Sequence, residues 1–280
     1  MEGGESVTDI IRGRPIRVVG DVHGDLTAFR HAAATDRFVI QLGDLVDYGE
    51  DSAGVLRLMA QMVAEKRGLL ILGNHDRKLA RALLGRKIRR DPPLEKTLEQ
   101  LFEPENEDVL NITLPLLTNA PAWLRLGDRL FVHGGFHTRM LYEDPPPAME
   151  TVTPALSRAL FGEVTGKMQP DGYPERRLNW VDHIPPGMTV YCGHDRRSTD
   201  GRPWVRPGRQ GGSAIFMDTG AGKGGHLAWM DLPPAQEHIP VLPPAGRRGI
   251  DGHLHIPAQE HDVRSHFPRR TDWNRSGSSE

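Results

Sequence analysis

The sequence contains very little cysteine: Cys192 is the only one among 280 residues. A single thiol cannot form a disulfide within the chain, which fits a protein of a reducing compartment. It also excludes every metal site that is built from several cysteines. Any metal ion in this protein must therefore be held by histidine, aspartate, glutamate or asparagine.

Long apolar runs and a strong net charge are missing as well. The apolar run Leu69–Leu72 is far shorter than the roughly 20 residues that cross a bilayer, so we expect no membrane span. A formal net charge of -2 disfavours nucleic-acid binding through overall charge, and we expect no stable nucleic-acid complex. Residues 1–5 lack the basic start and apolar stretch of a signal peptide, and Glu2 removes the glycine needed for myristoylation. We therefore expect a cytoplasmic protein.

The first half of the chain has a repeated pattern of strands and helices. Short apolar runs at 17–19, 38–42 and 69–72 are each followed by a glycine. Between them, residues 26–34 and 55–63 carry apolar side chains at spacings of three and four, which is the period of a helix. This alternation is typical of parallel βαβ units and predicts an α/β layered fold.

Residues 79–117 have a mostly helical pattern, which is broken by the basic stretch 86–90 and by Pro92-Pro93. This pattern predicts a helical insertion. The second half is mainly β, with strands expected at 130–132, 189–192, 214–217 and 226–230.

The composition changes after residue 232, where proline, histidine, arginine and glycine dominate. So few large apolar side chains cannot offset the loss of chain entropy on folding. We therefore expect a flexible N-terminus at 1–14, one ordered domain at 15–232 and a mostly disordered tail at 233–280.

Polar motifs follow five of the predicted strands. They read Gly20-Asp21-Val22-His23-Gly24, Gly43-Asp44-Leu45-Val46-Asp47, Gly73-Asn74-His75-Asp76, His133-Gly134-Gly135 and Gly193-His194. Ligands of a βαβ sheet bind beyond the carboxyl ends of the strands. We therefore expect side chains that are distant in sequence to converge at this edge.

The converging groups would be carboxylates, a carboxamide and imidazoles, which suit Mn²⁺, Fe, Zn²⁺ or Mg²⁺. Asp21 and His23 are separated by one residue and can face the same side of an extended strand end. Asp44 comes from the neighbouring strand, and a carboxylate can bridge two ions about 3.5–4 Å apart. The second ion would be completed by Asn74, His133 and His194. The sequence therefore predicts a two-metal centre.

These motifs resemble those of the calcineurin-like metallophosphoesterases, in the branch of phosphoprotein phosphatases and diadenosine tetraphosphate hydrolases. The resemblance covers about residues 17–232. Three longer stretches, 73–101, 159–166 and 217–220, look closest to the phosphatase domain of bacterial polynucleotide kinase-phosphatases. The sequence has no Gly-x-x-x-x-Gly-Lys-Ser/Thr phosphate loop, the motif of that enzyme's kinase domain. The family implies a four-layer β-sandwich flanked by helices, here with a helical insertion.

The resemblance also implies roles for single residues. It assigns Asp21, His23 and Asp44 to one ion, and Asp44, Asn74, His133 and His194 to the other. Mn²⁺ is expected first, with Fe, Zn²⁺, Ni²⁺ or Mg²⁺ as alternatives. A hydroxide that bridges the ions would attack phosphorus directly and in line. His75 would protonate the departing oxygen while Asp47 holds its imidazole, and Asn74 and Tyr48 are candidates for contact with the substrate phosphate.

One position departs from the family pattern. Relatives usually have an arginine directly after the second aspartate of Gly-Asp-x-x-Asp, where it grips the phosphate, but this sequence has Tyr48. Tyrosine donates one uncharged hydrogen bond, whereas a charge-assisted bond is worth about 1.5–3 kcal/mol. We expect weaker phosphate binding unless Arg77, Arg139 or Arg196 replaces that arginine. Phosphodiesterase relatives have a further histidine at the position of Arg196. The absence of that histidine is the pattern of the phosphoprotein phosphatase branch.

The predicted function is hydrolysis of phosphate monoesters on a phosphoprotein or a nucleic-acid end. Symmetrical hydrolysis of dinucleoside tetraphosphates is an alternative, because both activities are compatible with the same ligands. A metal-binding interaction module with weakened catalysis is the rival that Tyr48 suggests. The expected partner is a phosphorylated protein, nucleic-acid end or nucleotide. Arg86, Lys87, Arg89 and Arg90 could steer such an anion, although a solvated loop is the plainer interpretation.

Overall fold

The computed structural model describes residues 6–170 and 174–235. All but three residues of the predicted tail at 233–280 therefore lie outside the described residues. Part of the N-terminal segment 1–14, expected to be flexible, forms the helix α1 (Val7–Ile11). Ile11 is buried among side chains of both sheets, so this helix is anchored to the body of the fold.

The strands of the described residues are β1 (Ile16–Val19), β2 (Phe38–Gln41), β3 (Gly68–Leu70), β4 (Trp123–Leu126), β5 (Arg129–Val132), β6 (Val164–Met168), β7 (Pro174–Arg176), β8 (Thr189–Cys192), β9 (Trp204–Pro207), β10 (Ser213–Phe216) and β11 (Trp229–Leu232). The further helices are α2 (Leu26–Ala33), α3 (Ser52–Ala64), α4 (Asn74–Leu83), α5 (Pro92–Leu101), α6 (Glu107–Asn119) and α7 (Pro154–Phe161).

Most strands belong to two sheets. The first has the order β11-β1-β2-β3, in which β1, β2 and β3 are parallel and β11 is an antiparallel edge. The second has the order β4-β5-β8-β10-β9, with β5, β8 and β10 parallel. Strands β6 and β7 form a separate hairpin. The predicted α/β fold and its parallel βαβ units are thus confirmed.

Alternating side chains of the strands form the core between the two sheets. Ile16 and Val18 of β1 and Ile40 of β2 face the second sheet and are fully buried. Across from them, the rings of Phe131 and Tyr191 stack with their centroids 5.2 Å apart. Since successive side chains of a strand point to opposite faces, the intervening residues pack against the helices outside.

Helices cover the outer faces of both sheets. Phe29 of α2 and Met59 of α3 share one buried cluster with Val39 of β2. On the second sheet, Leu156 of α7 belongs to the same cluster, and the Trp180 ring lies 5.8 Å from the Phe216 ring of β10. The resulting arrangement of helices, two sheets and helices agrees with the layered sandwich that the resemblance implies.

The helical insertion is also present, with a different start. Helix α4 begins at Asn74, within the polar motif after β3, rather than at the predicted residue 79. Helix α5 begins where Asp91 caps it by accepting a hydrogen bond from the Leu94 amide at 3.2 Å. The prolines at 92 and 93 therefore start a helix rather than break one, because the first helical positions need no amide donor.

Strands β4, β6, β7 and β9 were not predicted, and β11 is shifted toward the C-terminus from the predicted 226–230. Residues of β6 and β9 are largely exposed, so these strands lack the apolar alternation that marks a buried strand. In the described parts of the chain, none of the helices combines the length and the apolar composition that a bilayer crossing requires.

Candidate metal centre and active site

The polar motifs lie together because parallel strands bring their carboxyl ends to one edge. Asp21 and His23 follow β1, and Asp44 follows β2, its parallel neighbour. His133 follows β5 and His194 follows β8, which are parallel neighbours in the second sheet. These side chains therefore lie together at the junction of the two sheets.

One group of potential ligands consists of Asp21, His23 and Asp44, whose donor atoms all lie within 4.8 Å of one another. The Nε2 atom of His23 is 3.9 Å from Asp21 Oδ2 and 3.7 Å from Asp44 Oδ2. The opposite ring atom of His23, Nδ1, lies 2.9 Å from the Val46 carbonyl. Since a carbonyl only accepts, Nδ1 carries the proton and Nε2 keeps a free lone pair toward the carboxylates.

A second group, Asp44, His133 and His194, satisfies the same 4.8 Å condition. His133 Nε2 is 3.4 Å from Asp44 Oδ2 and 3.2 Å from His194 Nδ1. Asn74 joins this group, because its Oδ1 lies 3.0 Å from His133 Nε2. The Nδ1 atom of His133 donates to the Leu42 carbonyl at 2.9 Å, which again leaves Nε2 directed into the cluster. Asp44 thus belongs to both groups.

The residues present fit a pair of divalent cations. The Nε2 atoms of His23 and His194 are buried and have no hydrogen-bond partner among the described residues. Leaving a buried polar atom unpaired costs about 1–3 kcal/mol, and a cation would supply the missing partner for His23 Nε2, which faces the carboxylates of Asp21 and Asp44. The set of carboxylate, carboxamide and imidazole donors is compatible with Mn²⁺, Fe, Zn²⁺, Ni²⁺ or Mg²⁺.

Burial and neighbouring charges shift the pKa values of several potential ligands away from their usual values. Burial, followed by the positive charge of Lys223, lowers the pKa of His23 to about 3. Burial would also lower the pKa of His133, but the neighbouring Asp44 carboxylate raises it to about 9. Burial and the nearby Asp218 raise the pKa of Asp21 well above its usual value. Metal binding at such a site competes with protons for the same donor atoms.

The backbone is strained at the same edge. Six residues other than glycine have a positive φ in the described ranges, and five of them belong to the site: His23, Asp44, Asp47, Tyr48 and His194. Side chains with a Cβ rarely adopt this conformation, which costs of order 1–3 kcal/mol. Tight packing of the loops keeps the strained residues in place.

Two glycines show how tight this packing is. A Cβ at Gly193 would lie 2.0 Å from Asp21 Oδ1, and one at Gly73 would lie 2.2 Å from the Asp44 amide nitrogen. Only glycine allows such close approach of backbone and ligand. The Gly-His and Gly-Asn pairs in the sequence therefore bring the loops of His194 and Asn74 within reach of the two aspartates.

Asp76 fixes the loop that carries Asp44. Its buried carboxylate accepts hydrogen bonds from the amides of Asp44 at 2.7 Å, Leu45 at 2.9 Å and Gly73 at 3.1 Å. The side chain is used entirely for these contacts and is not among the potential metal ligands. Asp76 therefore has a structural role at the start of α4.

His75 and Asp47 form a pair beside the metal cluster. His75 Nδ1 lies 2.5 Å from Asp47 Oδ2, and its Nε2 lies 3.9 Å from Asp44 Oδ2. The His75 side chain is 16% exposed whereas that of Asp47 is fully buried, so the imidazole is the member that a substrate can reach. The pair has the geometry expected for a proton donor and its orienting carboxylate.

Sequence reasoning missed two partners of this pair. Lys78 Nζ lies 2.7 Å from Asp47 Oδ2, and Thr97 Oγ1 donates to Asp47 Oδ1 at 2.9 Å. Burial would raise the pKa of Asp47, but the hydrogen bond and charge of His75, together with Lys78, lower it. Lys78 follows His75 by one helical turn on α4, a spacing that could have predicted the contact. Thr97 belongs to α5, and nothing in its sequence context indicated this role.

Tyr48 lies at the site, beside two of its imidazoles. Its ring centroid is 5.1 Å from that of His23 and 5.5 Å from that of His75. Lys223 Nζ, which the sequence analysis did not select, lies 4.5 Å from the centre of the Tyr48 ring. The loop between β10 and β11 thus contributes a cation next to the position where the family has an arginine.

The arginines expected to compensate for Tyr48 have other contacts. Arg77 is buried, and its guanidinium donates to the carbonyls of Ala148 at 2.8 Å and Glu150 at 2.9 Å. Arg139 is exposed and lies 3.6 Å from Glu143. Two nitrogens of Arg77, Nε and Nη2, thus hold the segment after β5, which argues against the expected role of Arg77 at the substrate phosphate. Arg196 is exposed and lies against Gly220, where a Cβ would be 3.1 Å from its Cδ.

A comparison with known proteins agrees with this fold and cluster. The chain belongs to the calcineurin-like phosphoesterase family, whose model matches residues 14–195. The expected family is thereby confirmed, and with it a hydrolase that acts on phosphoester bonds and uses divalent metal ions.

Curated relatives cover most of the chain. The asymmetrical bis(5'-nucleosyl)-tetraphosphatase PrpE of Halalkalibacterium halodurans is 29% identical over 234 residues, which are 77% of this chain and 89% of that protein. The protein of the same name from Oceanobacillus iheyensis is 27% identical over 237 residues, or 78% of this chain and 88% of its own length. A crystal structure provisionally assigned as a diadenosine tetraphosphatase has a TM-score of 0.51 at 21% identity, covering 80% of this chain and 91% of that one, and supports the fold.

Proposed function

We propose that this protein hydrolyses a phosphorus–oxygen bond at a centre of two divalent metal ions. The observation that carries the proposal is that Asp44 belongs to both groups of potential ligands, as a bridging carboxylate would. When bound, two such ions would lower the pKa of a water molecule and neutralise charge on the phosphoryl oxygens. Asp21 and His23 would hold one ion, and Asn74, His133 and His194 the other.

His75 is the proton donor in this proposal. Its Nδ1 is held by Asp47, so that the opposite nitrogen, Nε2, faces the edge of the cluster near Asp44. From there it would give a proton to the oxygen that leaves phosphorus. A positioned acid of this kind contributes about 10²–10⁴ to the rate. Lys78 and Thr97 keep Asp47 in place and thereby fix the ring of His75.

The substrate class that we propose first is a dinucleoside tetraphosphate that is cut asymmetrically. The support comes from relatives that carry this name and that match 88–89% of their own length. They favour asymmetrical rather than symmetrical cleavage, which was the alternative expected from the sequence. Phosphate monoesters stay the second candidate, since the same ligands and His75 would serve a leaving alkoxide. The cytoplasmic location and the lack of a stable nucleic-acid complex stay predictions from composition.

The experiment removes metal with a chelator and titrates Mn²⁺ back while turnover and bound metal are measured. We expect turnover to rise as two equivalents bind, with diadenosine tetraphosphate converted to ATP and AMP and with a lower rate on para-nitrophenyl phosphate. Asp44→Asn should abolish turnover, and Asp144→Asn, at an exposed aspartate, should not change it. Binding of a single equivalent, or full turnover by Asp44→Asn, would contradict the proposal.

His75→Asn tests the proton donor separately. We expect kcat to fall by about 10²–10⁴ on an alkyl phosphate while bound Mn²⁺ is unchanged, because His75 is not among the potential ligands. The loss should be smaller on para-nitrophenyl phosphate, whose leaving oxygen needs no proton. An equal loss on both substrates would rule out proton donation by His75.

A further inference from the structure

The loop between β10 and β11 brings one lysine to the metal cluster. Lys223 Nζ is 4.5 Å from the centre of the Tyr48 ring, and that ring is 5.1 Å from the ring of His23. The ammonium group therefore lies one aromatic ring away from His23, a potential ligand of the first ion.

The loop is built to hold this position. Gly222 has φ +68, and a Cβ there would lie 2.1 Å from the His23 carbonyl, so the loop is pressed directly against His23. The Lys223 amide donates to the Gly220 carbonyl at 3.0 Å, and the Gly225 amide donates to the same carbonyl at 2.9 Å. Thr219 Oγ1 ties the two ends by donating to the His226 carbonyl at 2.6 Å. Lys223 therefore projects from an ordered turn.

Two other lysines near the site form ion pairs with carboxylates, whereas Lys223 forms none with the residues that the structure describes. Lys78 Nζ lies 2.7 Å from Asp47, and Lys96 Nζ lies 2.9 Å from Glu50. Among residues 6–170 and 174–235, no carboxylate lies within 4.0 Å of Lys223 Nζ. Its contact with the face of Tyr48 keeps the ammonium group oriented and leaves its donor hydrogens available.

We propose that Lys223 binds a phosphoryl oxygen of the substrate, with Tyr48 as the surface that positions it. The inference deepens the proposed function and rests on it. Relatives usually have a phosphate-binding arginine at position 48. In this protein the cation is Lys223, which comes from a different loop and lies over the ring of Tyr48. The site therefore keeps a positive charge for the substrate without one at position 48. Lys223 would contact a phosphate next to the ion held by Asp21 and His23.

The test measures inhibition by inorganic phosphate, KM, kcat and bound Mn²⁺ for the unmodified protein and five variants, one of which is Tyr48→Arg alone. Lys223→Met removes the charge at similar length, and Lys223→Arg keeps it. The double variant Lys223→Met/Tyr48→Arg moves the cation to the family's usual position. Lys167→Met, at an exposed lysine of the β6–β7 hairpin, is the matched control.

We expect Lys223→Met to raise KM and the inhibition constant of inorganic phosphate about ten- to a hundredfold, which is the range for loss of one charge-assisted hydrogen bond. Bound Mn²⁺ should stay at the level of the unmodified protein. Lys223→Arg and the double variant should recover most of the affinity, whereas Tyr48→Arg alone should bring little gain because a cation is already present. Lys167→Met should leave all four quantities unchanged.

Two outcomes would overturn the inference. An unchanged inhibition constant in Lys223→Met would show that the lysine only packs on Tyr48, and a parallel loss of bound Mn²⁺ would show that it acts on the metal ligands. Failure of the proposed function is distinguishable: the unmodified protein would then turn over none of the substrates. Direct calorimetric binding of inorganic phosphate to the metal-loaded protein would in that case still test Lys223.

Discussion

The core between the sheets and the polar cluster at the strand ends are formed by the same strands and differ in almost every physical property. Ile16 and Phe131 are fully buried apolar side chains on regular strands. Beyond the carboxyl ends of β1 and β8, His23 and His194 combine a positive φ with a buried ring nitrogen that has no hydrogen-bond partner in the part of the chain that the structure describes. The first region stabilises the fold, and the second tolerates strain because the first holds it in place.

We therefore expect the effect of a substitution to depend on its position along the strand: some positions affect stability and others affect activity. Substitutions inside the core should lower the free energy of unfolding and leave the chemistry of the folded molecules intact. Substitutions at the strand ends should remove activity and leave stability unchanged or even raise it, as is common where a site is built from unfavourable contacts.

Phe131→Ala should have the largest effect on stability. The ring is fully buried between the sheets and stacks on Tyr191, so its removal leaves a cavity that the flanking strands cannot fill. We expect the free energy of unfolding to fall by about 3–5 kcal/mol, measured by chemical denaturation. The folded fraction should keep its kcat, although His133 lies only two residues away. A large fall in kcat of the folded protein would break the separation between the two regions.

Asp21→Asn should have the opposite effect on the metal-free protein. Burial and Asp218 raise the folded-state pKa of Asp21, so the ionised form is disfavoured in the folded state at every pH above the unfolded value. Asparagine removes this penalty and keeps an oxygen for the His194 amide, which lies 3.0 Å from Asp21 Oδ2. We expect a gain of about 0.5–2 kcal/mol at neutral pH in the presence of chelator.

The sign of this gain can be checked in two ways. It should vanish as the pH falls below about 4, where the carboxyl is protonated in the folded and unfolded states alike. With Mn²⁺ present the order should reverse, because metal binding stabilises only the protein that keeps its ligand. A variant that is less stable than the unmodified protein in chelator at neutral pH would show that Asp21 contributes to stability without metal.

Strands that end at the metal cluster could be predicted from the sequence, whereas exposed strands could not. The strands before Asp21, Asp44 and His133 are short apolar runs that end at polar motifs, so a local pattern indicated both the sheet and the cluster. Strand β6, with the exposed Met168, has no such pattern, because its pairing comes from a hairpin and not from burial.

Partners brought in by tertiary packing were equally invisible. Thr97 reaches Asp47 from a helix of the insertion, and Lys223 reaches Tyr48 from the loop between β10 and β11, far along the chain. Neither Thr97 nor Lys223 belongs to one of the five polar motifs that follow the predicted strands. The ligands of the cluster could be predicted because their position depends on strand direction, whereas these contacts depend on how separate elements pack.

Asp231→Asn should have the smallest effect, because this carboxylate, unlike that of Asp21, is paired with two arginines. Arg17 donates to it through two nitrogens at 2.7 and 2.9 Å, and Arg37 Nε lies 3.1 Å away. The hydrogen bond from Arg17 lowers the pKa of Asp231, so its contribution to stability is present above the unfolded pKa and is lost as the pH falls through the lower folded value.

The Asp231 side chain is 37% exposed, and after allowance for solvent screening we expect the Asp231→Asn variant to lose only about 0.2–1 kcal/mol of stability at neutral pH. Denaturation at low and high salt checks this, and the loss should shrink in high salt. If Asp231 stabilises the protein while Asp21 destabilises it, the difference must come from their partners, because both side chains are carboxylates. A gain in stability for Asp231→Asn would contradict this explanation.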